Sequence, residues 1–268
     1  MSRPQLIATD LDGTFLGPDG TAPAANLLAV RRAAQAGVPV VVVTGRPARF
    51  VNTMDELAET YPLMVTSNGA ALYDQATGTL SCVHAIDPDL ALATADRLRH
   101  AVPGLTFGVE SGFDYGCEPD GPLDEVENWG AWTAPLPEII ERCQPIIKLL
   151  GFHPTLGSDA LVARALGVVG GAVSVTHASM GEWFGMVELT APRISKASGL
   201  EAVCRSLGVD AAGVAAFGDM PNDRPMLDWA GRPFVMANSH PSLLGAGFPV
   251  IGTNTQGAVG ETILGLLA

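Results

Sequence analysis

Two aspartates, Asp10 and Asp12, stand with one residue between them at the end of a short apolar run, and Gly13 and Thr14 follow at once. Leu6-Ile7-Ala8 is short and bounded, which predicts a buried strand. Side chains of an extended chain alternate faces, so Asp10 and Asp12 are expected to point the same way. Two carboxylates this close repel, and burying them unpaired is costly. A divalent cation removes the conflict. Paired carboxylates offer hard oxygen ligands suited to Mg2+, which often bridges to a phosphate. Taken alone, Asp-x-Asp is equally a strand end running into a solvated turn.

Two further stretches end in related chemistry. Val38-Pro39-Val40-Val41-Val42-Val43 reads as a strand covered on both faces and ends at Thr44-Gly45-Arg46. A hydroxyl and a bare backbone N–H at a helix N-terminus suit a phosphate, although strand–Thr-Gly–helix is also a common turn. Val214-Ala215-Ala216-Phe217 reads as a third buried strand, ending at Gly218-Asp219-Met220-Pro221-Asn222-Asp223. Just before it, Ser195 looks like the N-cap of a helix that begins with Lys196. Lys196 by itself would be an ordinary solvated lysine. A parallel sheet brings strand ends to one edge, where ligands bind in open α/β sheets. Asp10, Asp12, Thr44, Gly45, Asp219, Asp223 and Lys196 can therefore meet, as metal ligands, phosphate donors and a cation.

The elements that must position these groups alternate. Pro23 fits the first turn of a helix with an apolar stripe of Leu27, Leu28, Val30 and Ala34, ended by Gly37. Pro47 opens a second helix, so strand–helix–strand–helix is complete by residue 60 and parallel sheet is the natural inference. Leu63–Thr66 reads as a strand ending at Ser67-Asn68-Gly69-Ala70, and Leu72-Tyr73 with Thr79–Cys82 as a small hairpin. From about Ala85 the style changes. Helices from Asp87-Pro88 to Ala101 and from Leu156 to Leu166 are interleaved with strands at 105–109 and 146–152. An antiparallel pair, 173–176 and 183–189, follows, which suggests a compact α+β insertion. Residues 111–135, with Trp129 and Trp132, give no assignment; these two and Trp183 read as core or rim. The first style returns with the Lys196 helix, the strand at 214–217, a helix opened by Pro221, short strands at 234–236 and 249–251, and a terminal helix from Ala258. The predicted fold is α/β: a Rossmann-like parallel-sheet core of residues 1–83 and 190–268, with residues 84–189 as an inserted α+β cap.

Composition narrows the function classes. A net charge of −13 leaves no electrostatic footprint for nucleic acid or an anionic membrane. Its simplest reading is solubility, so an anionic substrate must be attracted locally. Cys82, Cys117, Cys143 and Cys204 are scattered without C-x-x-C spacing, which argues against a disulfide framework or zinc site and fits a reducing cytoplasm. The N-terminus enters a strand directly, unlike a signal peptide. No apolar run approaches the roughly 18 residues a membrane span needs.

D-L-D-G-T at 10–14, T-G-R at 44–46, S-K at 195–196 and G-D-M-P-N-D at 218–223 resemble the four motifs of the haloacid dehalogenase superfamily. The insertion resembles its type II cap. S-N-G-A at 67–70, V-E-L-T-A-P at 187–192 and F-V-M-A-N-S at 234–239 are similar to the Cof-type hydrolases of subclass IIB. The resemblance implies a Mg2+-dependent phosphatase acting on a small phosphorylated metabolite, such as a sugar phosphate. Asp10 would be the nucleophile and Asp12 the general acid and base. Asp10, Asp219 and the Asp12 backbone carbonyl would hold Mg2+. Leu11, Thr44, Gly45, Lys196 and Asn222 would surround the phosphoryl group. Asp223 would orient the metal shell or Lys196. Arg46, Asn68, Lys148, His177 and Glu188 are candidates for substrate contact by polarity and position. The expected state is monomer or homodimer. The alternatives are a phosphomutase on the same scaffold, a sucrose- or glycerate-type specialist phosphatase, and a metabolite-binding protein that has kept the fold without the reaction.

Overall fold

A computed structural model describes residues 3–51, 62–121, 132–179 and 185–268. In chain order the first elements are β1 (Leu6–Thr9), α1 (Ala24–Gln35), β2 (Val40–Val42), β3 (Leu63–Thr66), β4 (Ala71–Asp74) and β5 (Thr79–Ser81). The next group is α2 (Pro88–Ala101), β6 (Thr106–Glu110), β7 (Tyr115–Cys117), β8 (Trp132–Thr133), α3 (Leu136–Arg142), β9 (Lys148–His153), α4 (Ser158–Val169), β10 (Ser174–Ser179) and β11 (Gly185–Thr190). The chain closes with α5 (Lys196–Leu207), β12 (Val214–Gly218), α6 (Arg224–Trp229), β13 (Arg232–Val235), α7 (Pro241–Leu244) and α8 (Ala258–Leu267). Two compact units result: Met1–Arg46 with Phe50–Ser81 and Ser195–Ala268, and Pro47–Arg49 with Cys82–Ile194. The architecture is α/β, a parallel-sheet core with an inserted α+β unit.

The first unit is built on a parallel sheet in the order β13-β12-β1-β2. A parallel bridge between Val43 and Val65 leads on to the antiparallel β3-β4-β5 sheet. Both faces are covered, so the strands are almost wholly apolar, as their β-branched runs predict. Leu6, Ala8, Val41 and Ala216 pack with Leu200 and Val203 of α5 and Met226 of α6. Thr9 lies level with both Val42 and Phe217. Three neighbouring strands therefore stop together, and the residues after each stop share one edge.

The expected stripe on α1 is corrected. Leu28 is largely exposed, and the buried positions are Asn26, Ala29, Val30 and Ala33. The reason is how closely α8 approaches: a Cβ on Gly260 would lie 2.3 Å from the Ala25 carbonyl oxygen. Only small residues fit there, and leucines would hold the helices apart. Asn26 works inside this contact, donating to the Phe15 carbonyl and accepting from the Gly260 N–H, both at 2.7 Å. After Pro47 the chain forms a short 3-10 turn, Ala48–Phe50, and the rest of the expected helix lies outside the described residues. Of the strand expected at 249–251, one bridge forms, between Val250 and Val235.

The second unit holds a six-stranded sheet in the order β10-β11-β9-β6-β7-β8, antiparallel except between β7 and β8. Alternation divides its faces. Phe107, Val109, Leu149, Val187 and Leu189 form one core with Ala95, Leu98, Ile139, Leu161 and Ala165 of α2, α3 and α4. Leu150, Phe152, Met186, Tyr115 and Cys117 cluster on the other face. Asp87 caps α2 by accepting from the N–H groups of Asp89 and Leu90. Trp132 is half-buried on β8, with the Arg142 guanidinium 3.9 Å from its ring centroid. Trp129 and Trp183 lie outside the described residues. Among the described residues, no helix is long and apolar enough to cross a membrane.

Candidate active site

The site of the first unit starts where β1 stops. Asp10 is still extended and donates its N–H to the Phe217 carbonyl. The chain then turns through Leu11–Phe15, and Gly13 adopts φ +75°. A Cβ at Gly13 would lie 2.3 Å from Asp219 Oδ2, so glycine is what lets the Asp219 carboxylate approach this turn. Strand alternation ends at Thr9, and the two aspartates go to different partners. Asp10 is buried and receives Lys196. The Asp12 side chain is 58% exposed and is gripped by Arg46, Nε to Oδ2 at 2.7 Å and Nη2 to Oδ1 at 2.5 Å. Shared orientation along one strand is therefore corrected to two separately paired carboxylates. The Asp12 carboxylate in turn holds the Arg46 guanidinium above its usual pKa.

Lys196 is positioned by the helix start that the sequence predicts. Ser195 caps α5, accepting from the Ser198 N–H, while the Ser198 hydroxyl accepts from the Ser195 N–H. The lysine is 1% exposed, and its Nζ lies 2.7 Å from Asp10 Oδ1 and 2.5 Å from Asp223 Oδ1. A solvated lysine is thereby excluded. Burial alone would lower its pKa, but the two carboxylates outweigh burial and hold it above the ordinary lysine value. Both Asp223 oxygens are already engaged, since Oδ2 accepts from the N–H groups of Asp219 and Met220, each at 2.9 Å.

Asp10, Asp219 and Asp223 place ligand oxygens within 4.8 Å of one another. Burial raises Asp10 well above the usual carboxylate range; Lys196 opposes this, and Asp223 and Asp219 add to it. Burial and then Asp223 push Asp219 up to about 7, against the Thr14 hydroxyl, which donates to its Oδ1 at 2.7 Å. Lys196 takes Asp10 Oδ1 and Thr14 takes Asp219 Oδ1. The donor set is hard, acidic and short of positive charge, which suits Mg2+. The Gly13 cradle fits as well.

Thr44 is buried, donates its N–H to the Val65 carbonyl, and accepts the Arg46 N–H on its hydroxyl. Gly45 faces two amides: a Cβ there would lie 3.2 Å from Asn68 Oδ1 and 3.6 Å from Asn222 Nδ2. Asn222 Nδ2 donates to Asn68 Oδ1 at 3.0 Å. Leu11 is fully buried and its carbonyl accepts the Leu16 N–H. In the second unit, Lys148 and Glu188 are both buried and pair with each other at 2.5 Å, and His177 Nε2 lies 3.1 Å from Asp159 Oδ1. Asn238, within the F-V-M-A-N-S stretch but given no role by the sequence, donates its Nδ2 to the Gly13 carbonyl and accepts the Asn254 N–H on its Oδ1. The available signal was an asparagine just after a strand, on the scaffold edge that holds the other groups.

A sequence-family model for haloacid dehalogenase-like hydrolases matches residues 7–263. The chain belongs to this family. It is a Cof-type member, and it is similar to the HMP-PP phosphatase of Cronobacter sakazakii, 27% identical over 95% of this chain and 93% of that protein. It is also similar to the pyridoxal phosphate phosphatase YbhA of Escherichia coli, 26% identical over 97% of both. Among solved structures, the subclass IIB sugar phosphatase BT4131 matches with a TM-score of 0.80 at 18% identity, over 98% of this chain and 99% of that one. That likeness shows the fold. The haloacid dehalogenase-like chain is thus an enzyme of the phosphoric monoester hydrolase class.

Proposed function

We propose that the enzyme hydrolyses a small phosphomonoester, a sugar phosphate or related metabolite, through an aspartyl-phosphate on Asp10, with Mg2+ as its metal. The observation that carries this reading is the division of labour between two aspartates two positions apart. Asp10 is buried against Lys196, whereas Asp12 is exposed and held apart by Arg46. A nucleophile and a proton carrier need those different surroundings.

A carboxylate oxygen of Asp10 attacks phosphorus, and the bond from phosphorus to the leaving oxygen breaks. Asp12, released from Arg46 and protonated, gives that oxygen its proton, because the bidentate ion pair holds it as a carboxylate with none to give. Asp12 then takes a proton from the water that attacks the aspartyl-phosphate, and inorganic phosphate leaves with Asp10 restored. Arg46 pairs with Asp12 again each time Asp12 becomes a carboxylate. Lys196, Thr44, Gly45, Asn222 and the turn at Leu11 hold the phosphoryl oxygens. Asp10, Asp219 and the Asp12 carbonyl would hold the metal, which supplies charge neutralisation between carboxylate and phosphate dianion. Asp223 keeps Lys196 in line. We assign substrate selection to residues 84–189, with His177 among the groups that serve it. Lys148 and Glu188 are buried and paired with each other, so they serve it by tying β9 to β11 rather than by direct contact.

The test is phosphate release from a panel of sugar phosphates, pyridoxal phosphate, HMP-PP and nucleotides, with Mg2+ and with chelator, and Asp10→Asn alongside. Chelator-sensitive release that disappears in the variant is the expected result. Full turnover by Asp10→Asn would refute the nucleophile. Absence of release, together with phosphoryl return to a bisphosphorylated primer, would replace hydrolysis with a mutase reaction.

A further inference from the structure

The turn Ser67-Asn68-Gly69, between β3 and β4, has a conformation that folding alone does not reward. Ser67 and Asn68 both adopt left-handed backbone, φ +51° and +56°, and Gly69 follows at φ +95°. Left-handed conformation in successive residues that carry a Cβ is strained, and such strain persists only where the surroundings impose it. All three residues are buried. The Ser67 hydroxyl is also buried without a hydrogen-bond partner, a second unfavourable feature at the same place.

What the turn touches explains why it is kept. Ser67 donates its N–H to the Arg46 carbonyl, and Asn68 donates its N–H to the Thr44 carbonyl, each at 3.0 Å. These two bonds clamp the Thr44–Arg46 loop from both ends and leave Gly45 between them. Gly69 lies against the start of α5: a Cβ there would be 2.0 Å from the Ser195 carbonyl oxygen. Gly199, one turn into α5, completes the contact, since a Cβ on it would be 2.8 Å from the Gly69 Cα. The Asn68 side chain accepts from Asn222 Nδ2. An amide nitrogen carries two hydrogens, so this bond fixes the Asn222 carboxamide and leaves its second N–H for another acceptor. One turn of three residues thus joins the loop of Thr44 and Gly45, the helix start of Lys196, and Asn222.

We infer that Ser67-Asn68-Gly69 is a positioning element for phosphoryl binding, with Asn68 orienting Asn222 over Gly45. This rests on the phosphatase reading above. It gives Asn68 a task that does not depend on contact with the leaving group, so its effect is the same for every phosphomonoester and for inorganic phosphate.

The experiment uses the full chain with Mg2+, p-nitrophenyl phosphate as substrate and inorganic phosphate as product inhibitor. Asn68→Gly removes the amide together with the Cβ and so relieves the left-handed backbone, while Asn68→Ala removes the amide and leaves a Cβ on that backbone. Both variants are expected to raise KM and the phosphate inhibition constant about tenfold, with kcat within about threefold, the scale of one lost oriented hydrogen bond. Thermal stability separates positioning from folding: Asn68→Gly is expected to melt above Asn68→Ala yet bind phosphate equally poorly. Adding Asn222→Ala to either is expected to cost less than about threefold more, because the two amides act as one unit. Wild-type phosphate inhibition in Asn68→Gly, or multiplicative losses in the double variant, would overturn the inference while the phosphatase reading stands. Absence of chelator-sensitive turnover in the wild type would refute the phosphatase reading and the inference with it.

Discussion

Lys196→Met tests the centre of the site. Methionine retains most of the side-chain volume and removes only the ammonium. Two contacts are lost, at 2.7 Å to Asp10 and 2.5 Å to Asp223, from a lysine that is 1% exposed. Removing one partner of a buried ion pair costs about 3–5 kcal/mol, because the remaining charge is left uncompensated. Asp223 keeps its two backbone donors, so most of the cost falls on Asp10. At about 2 °C of Tm per kcal/mol for a chain of this length, the loss is about 6–10 °C. The assay is calorimetric melting at pH 8 and pH 5 in chelator. Lysine raised above its ordinary pKa contributes fully at every pH below about 10, so its own titration plays no part in this window. The variant, however, can relieve its unpaired Asp10 by protonation, and the deficit should shrink at pH 5. Turnover should fall about 100-fold or more, as on losing an oriented donor to the transition state. A Tm loss under about 2 °C at pH 8, or a deficit that grows in acid, would refute the assignment of Lys196 as the counter-charge of Asp10.

Three further outcomes follow from the geometry. Asp219 is raised to about 7 in the folded chain, so between its unfolded value near 4 and that point the folded state keeps a proton that the unfolded state releases. Stability of the metal-free protein should therefore fall as pH rises through this window, and the gain in Tm on adding Mg2+ should rise over it; a gain flat from pH 5 to 9 would exclude Asp219 as a ligand. Gly13→Ala adds a Cβ that would lie 2.3 Å from Asp219 Oδ2 on a left-handed backbone. It should cost about 1–2 kcal/mol of stability and most of the Mg2+ affinity, and calorimetric titration showing wild-type affinity would refute the cradle. Lys148→Met should destabilise the chain by about 3–5 kcal/mol, and adding Glu188→Gln should recover at least half in melting experiments; no recovery would show that the pair is not mutually compensating.

The sequence made the strand ends legible because chemistry and periodicity changed at the same residues. Val38–Val43 gives way to Thr44-Gly45, and Val214–Phe217 to Gly218-Asp219, so apolar runs mark both the element and its end. Ser195 announced its helix for a local reason, since an N-cap is satisfied within three residues. What was not legible depends on distance. The face of α1 is set by the backbone of Gly260, far along the chain, and no periodicity within α1 reports it. The separate pairing of Asp10 and Asp12 needs Lys196 and Arg46, which only the sheet register brings near. Lys148 and Glu188 read as polar candidates because strand neighbours forty residues apart in sequence look unpaired until the register is known.

The Lys196 bridge also fixes an electrostatic sum. Fully ionised, Asp10, Asp12, Asp219 and Asp223 carry four negative charges, and Lys196 and Arg46 return two positive ones. The remainder of −2 is equal and opposite to the charge a divalent cation would bring, so a site holding one would be close to neutral. A phosphate dianion approaching a chain of net charge −13 would then find little net charge at the site to draw it in. Capture depends on short-range donors met at contact, while the bulk of the surface repels. Added salt screens that repulsion without weakening a near-neutral site. Encounter with substrate should accordingly quicken as ionic strength rises, the reverse of an enzyme that steers its substrate by charge.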